Sequence, residues 1–578
     1  MPDPLDRSDD FSASGGDGGT TPQPRRTARL TPRRTRLLAG VAGLAVIAAA
    51  AVVVPQLLSD EAPAASDPGP SAAASEEPAA PLPDSEKLGR AEYLQSAPAA
   101  DAGLAAADPL ALEVSTTPVG TSLGAGSVGL SLEATDLADP RLSADNTTLV
   151  TYLRGLGSPT LRFGGNAVDR RFFWTSTGEA VPAGWNAASG GPFTTVTPAD
   201  LERVNALADA VDASIIMNVT LGQYDPERAA DQVKNARNIF GERLVGVIVG
   251  NEPNGLSEAA GSYSDLRPSD WDVQDYLTEL TAYSKAIEAA SPGAPIAGPG
   301  TFTNDWWKEF SASDVPNKVA LAYHNYPLSS CSGTDPAQTP TMANLVSPQT
   351  AERSVKYSEA AVRIGSGAQL QTWLAETSAS ACTGSNEYTK THASALWSAN
   401  FALTAARSGV SRIAFHSSLM ACGGGPPMSV ICATGQWGSE GPDFEPRANY
   451  YGLSLVGLLG SGDFLTGSAD GGANTYWYAV RHADESISVV LVNLNDPEAV
   501  APTPVSLKVP AGSRYGSMSQ LTGASYASQD STLIDGGAQI PAADRDRIPG
   551  YTAETGRTGE LTVPVTAGTV TVLNFEYR

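Results

Sequence analysis

Hydrophobic and polar positions divide the chain into stretches of different texture. From Ser127 onward, short apolar runs rich in Val, Ile and Leu alternate with long stretches of helical period. Eight such runs can be read: Val128–Glu133, Thr160–Gly164, Ser214–Val219, Leu244–Gly250, Pro295–Gly298, Val319–His324, Leu370–Glu376 and Arg412–Ser417. Between most of them, apolar residues recur at helical spacing, over Asp145–Leu156, Glu227–Phe240, Val273–Ala290, Ala351–Ile364 and His392–Ser408. Arg447–Leu459 follows the eighth run as a closing helix. Continuous apolar strands separated by helices imply a parallel sheet covered by helices. Eight units over about 330 residues suit a (β/α)8 barrel better than an open doubly wound sheet.

After Gly460 the texture changes. Trp477–Val480, Ile487–Asn493, Thr503–Val509 and Leu561–Phe575 are short and β-rich, with Gly, Asp and Asn between them. The pattern predicts a terminal β-sandwich over 460–578, to which Leu112–Thr117 can add a strand. The catalytic barrel is thereby assigned to 110–459.

The first hundred residues read differently again. Residues 1–36 are polar with seven arginines against five aspartates, a net +2, so the rest of the chain carries −27 of the total −25. Leu37–Val54 is an 18-residue run without charge, about 27 Å long as a helix and close to the ~30 Å hydrocarbon core of a membrane. Arginines before it and none just after it predict the N-terminus inside and the remainder outside. The expectation is an uncleaved signal anchor in the cell membrane with the folded part extracellular, the alternative being cleavage and secretion; Arg33-Arg34 resembles a twin-arginine signal. Residues 55–109 are Ala, Pro, Ser, Asp and Glu with almost no aromatics, a composition expected to form a disordered stalk. The acidic balance argues against a nucleic-acid partner.

In a barrel, catalytic side chains come from the C-terminal ends of strands. The fourth run ends Gly250-Asn251-Glu252-Pro253-Asn254 and the seventh ends Ala375-Glu376-Thr377. Strands four and seven lie across the barrel mouth, so the two carboxylates can face each other. Glycoside hydrolysis needs such a pair: one protonated to supply the leaving oxygen, the other ionised to attack or to activate water.

These residues carry a resemblance. Asn251-Glu252-Pro253 resembles the acid/base motif of the retaining clan A glycoside hydrolases. Leu161-Arg162-Phe163-Gly164-Gly165-Asn166, Gly250-Asn251-Glu252-Pro253-Asn254, Tyr323-His324-Asn325-Tyr326-Pro327 and Ala375-Glu376-Thr377 resemble glycoside hydrolase family 79. That family includes β-glucuronidases and heparanase-like enzymes, and the likeness spans about Ser127 to Gly460. It implies Glu252 as general acid/base and Glu376 as nucleophile. It implies Asn251 on the sugar 2-hydroxyl, Tyr326 holding Glu376, and Glu133 and Asn166 touching the same sugar. Arg162 would pair with Glu252 or Glu376, and His324 and His416 would support the site. The family's carboxylate-binding loop departs here: Ser378–Asn386 has no tyrosine before Tyr388, which leaves Thr383 and Gly384 as backbone donors for a substrate carboxylate.

The four cysteines, Cys331, Cys382, Cys422 and Cys432, fall in the loops after strands six, seven and eight and lack zinc-ribbon spacing. An outside location permits disulfides, and pairs 331–382 and 422–432 are expected because these loops adjoin. Gly423-Gly424-Gly425 lacks the Lys and the strand-to-helix context of a phosphate loop. The chain shows no metal cluster or cofactor fingerprint, and a double displacement requires none. The reading is a retaining β-glycosidase of carbohydrate substrates, foremost a β-glucuronidase. Its alternatives are a clan A enzyme for a neutral sugar and a catalytically silent carbohydrate-binding envelope protein.

Overall fold

The structure is a computed structural model, which describes residues 103–185, 187, 192–257, 266–382, 388, 390–423, 429–529, 531–534 and 560–577. The basic tail, Leu37–Val54, nearly all of the Ala/Pro-rich segment, Thr383, Gly384, Gly424, Gly425 and the side chain of Cys422 lie outside the described residues. Among the described residues, no helix is long and apolar enough to cross a membrane.

Eight parallel strands close into a barrel: Gly129–Glu133, Thr160–Gly164, Ser214–Val219, Leu244–Val249, Ile296–Thr301, Lys318–Asn325, Gln371–Thr377 and Arg412–His416. The eighth pairs with the first through Phe415 opposite Leu130 and His416 opposite Ser131. These strands are buried along nearly their whole length, as expected where helices cover the outside and side chains fill the inside. Inside, Ile216, Ile248, Ala297, Ala320, Ala322, Trp373 and Ala375 form a separate apolar cluster. Trp373 takes much of that space, and Gly246 must be small to admit it, because a Cβ there would stand 2.5 Å from the indole.

The outer helices start where the sequence supplies caps. The Asp225 carboxylate accepts from the Arg228 N–H before the helix Pro226–Phe240, and Asp272 caps Val273–Ala290 in a capping box with Asp275. Two helices of more than two turns lie outside the stretches of helical period, Pro198–Ala210 and Asn304–Ala312. The first carries its own start signal, a Thr197–Asp200 capping box with Pro198 at the first position.

The C-terminal region is one nine-stranded sheet. Its order is Thr532–Ile534, Ser513–Thr522, Thr569–Tyr577, Ile487–Asn493, Thr475–Arg481, Gly462–Gly471, Leu110–Leu123, Thr503–Lys508 and Glu560–Val565. Strands from both ends share one core, in which Leu110, Leu112, Val505, Leu507 and Val563 meet Val489, Leu491, Leu573 and Phe575. The sheet therefore folds over itself into two layers. Leu110–Leu123 pairs antiparallel with Gly462–Gly471 and parallel with Thr503–Lys508, so the segment that enters the barrel is stitched into the sandwich. The expected run Leu561–Phe575 is a hairpin, Glu560–Val565 and Thr569–Tyr577.

Barrel and sandwich meet on the helix His392–Ser408, which is buried at fourteen of its seventeen residues. A helix apolar around its whole circumference needs partners on every side. Tyr478 of the sandwich donates to Asn400 Oδ1 of this helix at 2.8 Å, and the His392 ring lies 2.7 Å from the Gly568 carbonyl.

Candidate active site

The barrel mouth is organised around a guanidinium. Arg162, on strand two, is completely buried. Its Nη1 donates to Glu376 Oε2 at 2.5 Å and to Ser131 Oγ at 2.7 Å. Its Nη2 donates to Asn251 Oδ1 at 2.6 Å, and Nε to Asn218 Oδ1 at 3.3 Å. A buried cation is tolerated only when paired and hydrogen-bonded, and here strands one, two, three, four and seven are tied together by that requirement. Asn218 in turn donates to the Gly250 carbonyl at 2.7 Å. Of the two carboxylates expected as partners of Arg162, the structure pairs it with Glu376.

Glu376 is 6% exposed. Its second oxygen accepts from the Tyr326 hydroxyl at 2.7 Å, so both carboxylate oxygens hold donors. Burial alone would raise its pKa. The positive potential of His324, then of Arg162 and His416, and the Tyr326 hydrogen bond outweigh it and bring the pKa down to about 2. Tyr326 is pushed well above the usual phenol range by burial and by that carboxylate, so it remains a donor.

Glu252 stands just past strand four in a left-handed conformation, φ 46° and ψ 54°. Such a residue persists only where its surroundings over-determine it. Its N–H donates to the Gly300 carbonyl at 3.0 Å, and its own carbonyl accepts from Gly255 at 2.7 Å. The side chain retains 19% exposure, and Oε1 lies 2.9 Å from His324 Nδ1. His324 is fully buried, and its Nε2 has no hydrogen-bond partner among the described residues. One oxygen of Glu252, one of Glu376 and a His324 ring nitrogen all lie within 4.8 Å of one another. These three side chains are the candidate metal donors of the site, but Arg162 and Tyr326 already occupy both Glu376 oxygens. An ion there would compete with a guanidinium that supplies the same positive charge.

Asp169 holds the segment carrying Glu252. It is 2% exposed and accepts backbone N–H bonds from Leu221 at 2.6 Å, Gly222 at 3.0 Å and Asn251 at 2.8 Å. Burial nonetheless keeps its pKa above the ordinary carboxylate range. Asn251 completes its bonding by donating to the Oδ1 of exposed Asn166 at 3.3 Å.

Glu133, at the end of strand one, accepts from the Ala167 N–H at 2.8 Å and lies 3.7 Å from His416 Nε2. Gly165, at φ +66°, leaves room for it, since a Cβ there would lie 2.4 Å from the carboxylate. Neighbouring Asp136 accepts the Glu133 N–H at 3.1 Å. Its pKa is pushed up to about 8 by burial and then by the charge of Glu133. His416 is buried, which by itself would lower its pKa; the nearby Glu133 carboxylate and the charge of Glu376 raise it.

The mouth thus brings together Glu133, Arg162, Asn166, Asn251, Glu252, His324, Tyr326, Glu376 and His416, whereas Thr383 and Gly384 lie outside the described residues. Ser131, Asp136, Asp169 and Asn218 belong to the same network and were not singled out from the sequence. A signal existed for two of them, because Ser131 and Asn218 are polar residues inside otherwise apolar strand runs. Cys331 and Cys382 are disulfide-bonded to each other, joining the loops after strands six and seven. Cys432 is disulfide-bonded as well.

No family model matches the chain, and no curated protein matches it in sequence. Solved structures do. A 4-O-α-L-rhamnosyl-β-D-glucuronidase from Fusarium oxysporum 12S superposes with a TM-score of 0.59 at 18% identity, over 80% of this chain and 99% of its own. A family 51 α-L-arabinofuranosidase from Bifidobacterium longum gives 0.57 at 12%, over 81% and 99%. A bifunctional glucanase-xylanase from a metagenome library gives 0.52 at 14%, over 81% and 99%. The chain has the fold of these glycoside hydrolases.

Proposed function

We propose that the protein is a retaining β-glycoside hydrolase and that its first substrate class is β-glucuronides. The observation that carries this reading is the approach of Glu252 and Glu376 to within 4.8 Å over the barrel mouth, in unlike environments. Carboxyl groups about 5–5.5 Å apart belong to double displacement, whereas inversion needs about 6.5–9.5 Å to admit a water. Glu376, ionised and aimed by Arg162 and Tyr326, attacks the anomeric carbon. Glu252, partly open to the cleft, gives its proton to the departing glycosidic oxygen. Glu252 then takes a proton from water, which attacks the same carbon and frees Glu376. Asn251 and Glu133, in this reading, meet sugar hydroxyls. In this reading the enzyme works outside the cell, held there through Leu37–Val54.

The family 79 resemblance and the rhamnosyl-glucuronidase among the fold neighbours favour a glucuronide. A second reading, a neutral sugar, is favoured by the loop Ser378–Asn386, which has no tyrosine before Tyr388. Buried without donors, a substrate carboxylate would be costly. The test is hydrolysis of p-nitrophenyl β-glucuronide beside the β-glucoside and β-xyloside by residues 110–578, with Glu376→Ala as control and the product anomer followed by NMR. Glucuronide turnover with retention, lost in the variant, is the expected result. Neutral-sugar turnover alone would overturn the substrate, an inverted product the mechanism, and activity surviving Glu376→Ala the nucleophile.

A further inference from the structure

Among the described residues, the large hydrophobic side chains left exposed are Val119, Tyr224, Phe302, Trp437 and Leu458. Single exposed apolar residues are ordinary on a protein surface. The placement of these is not scattered: all three aromatics stand on loops at the C-terminal ends of barrel strands three, five and eight. The two aliphatic residues lie in the sandwich strand Leu110–Leu123 and the last helix of the barrel, Ala448–Leu459.

Two of the aromatics flank the strand that carries Glu252. Phe302, 47% exposed, comes two residues after Gly300, whose carbonyl receives the Glu252 N–H. Tyr224, 56% exposed, follows strand three in the loop that Asp169 binds, through Leu221 and Gly222, to the Asn251 N–H. Both rings are presented on fixed backbone. The Tyr283 hydroxyl accepts from Asp225 N–H at 3.0 Å and donates to Gln223 O at 3.3 Å, on either side of Tyr224, and the two rings meet edge to face at 5.6 Å. The Tyr357 hydroxyl donates to the Phe302 carbonyl. Trp437 lies on the loop of strand eight, which pairs with strand one away from Glu252.

We infer that Tyr224 and Phe302 form a stacking platform for a sugar ring on the leaving-group side of the cleft, so that the natural substrate is a glycan. The inference rests on the proposed role of Glu252: the bond it protonates places the leaving group beside the loops of strands three and five. An aromatic face is electron-rich and a pyranose face presents C–H bonds to it, so a ring flattened against Tyr224 or Phe302 gains binding that a small leaving group lacks.

The test compares parent, Tyr224→Ala and Phe302→Ala on β-glucuronyl fluoride, which has no ring on the leaving side, and on β-glucuronyl-(1→4)-glucose and β-glucuronyl-(1→3)-N-acetylglucosamine. Each variant should lose about 3- to 10-fold in kcat/KM on a disaccharide and nothing on the fluoride, with Phe302→Trp restoring the loss. Equal losses on fluoride and disaccharides, or none on either, overturn the platform. Loss on p-nitrophenyl β-glucuronide alone overturns the sugar ligand in favour of an aryl group. If the parent turns over only neutral sugars, the comparison is made with the matching neutral fluoride and disaccharide. A parent inert on all of them refutes the proposed function instead. Calorimetric binding of the two disaccharides, together with cellobiose, then decides the platform, since affinity for a disaccharide lost in the variants keeps it and unchanged or undetectable affinity removes it.

Discussion

Replacing Arg162 with Met keeps most of the side chain's volume and removes the charge that holds the barrel mouth together. Glu376 then keeps the Tyr326 bond but loses its closest cation, the 2.5 Å partner on Oε2, and Ser131, Asn218 and Asn251 lose a donor each. Breaking a buried ion pair from one side costs about 3–5 kcal/mol, because the remaining charge stays buried without its partner. The carboxylate's own pKa points the same way: His324 first and then Arg162 bring it from the ordinary 4.5 down to about 2, so removing Arg162 gives back part of that fall. The sign follows from the direction: with a depressed folded pKa, this contribution is full above the unfolded value near 4.5 and is lost as pH falls through about 2. Arg162→Met should therefore lower the urea midpoint at pH 7. It should also move the acid limb of kcat/KM to higher pH, because burial is now opposed by fewer positive groups. Glu376→Gln in the Arg162→Met background removes the stranded charge, so the double variant should be more stable than the sum of the two single losses by about 3 kcal/mol. Additivity within about 0.5 kcal/mol, with an acid limb that does not move, would refute the pairing as the source of either effect.

Three further outcomes follow from the same structure. Asp169→Asn leaves an amide N–H group facing one of the three backbone donors now bound there, at a cost of about 2–4 kcal/mol; thermal melts should show it, and kcat/KM should drop at least about tenfold because the donors include Asn251. Cys331→Ser opens a loop of 51 residues closed by the bond to Cys382, which the chain-entropy relation values at about 4 kcal/mol; a melting temperature unchanged in the variant and unaffected by dithiothreitol would contradict it. His392 has a pKa lowered by burial, with Ser531 Oγ at 3.0 Å from Nδ1 and the Gly568 carbonyl at 2.7 Å from Nε2. A base with a depressed folded pKa stabilises fully above its unfolded value near 6.5 and loses that contribution below it, so His392→Gln should flatten the fall in urea midpoint between pH 7.5 and 5.5.

The eight barrel strands are legible in the sequence because parallel strands buried on both faces must be apolar throughout, and that leaves continuous runs such as Leu244–Val249. The strands of the sandwich are less legible where one face meets water. Gly462–Gly471 buries only Phe464 and Leu465 among its hydrophobic residues and reads as a loop. The helix Asn304–Ala312 buries just Trp307 and Phe310, too few positions to display a period. Glu252 and Glu376 stand out because position at a strand end is itself a chemical signal in a barrel. Asp169 does not, because its importance lies in three backbone N–H groups from two distant loops, and backbone donors leave no trace in residue identity.

How two carboxylates with oxygens within 4.8 Å of each other come to do different work is a question of surroundings. Two negative charges at that distance in a buried site repel strongly, so a fold that keeps both must treat them unequally. Glu376 has the permanent cation, Arg162, and a phenol that cannot readily lose its proton, so neither partner readily hands it a proton. Glu252 has a ring nitrogen, His324 Nδ1 at 2.9 Å, beside its carboxylate, together with an opening to the cleft. Both are routes along which a proton can move. The same division recurs beside strand one, where Asp136, held near pKa 8 by burial and Glu133, keeps that pair from carrying two full charges at neutral pH. An ionised group fixed by permanent donors is suited to attack, and a group coupled to an exchangeable nitrogen and to solvent is suited to give and regain a proton. In the proposed mechanism the bonding around each carboxylate therefore divides nucleophile from acid, and exchanging the two environments would exchange the roles.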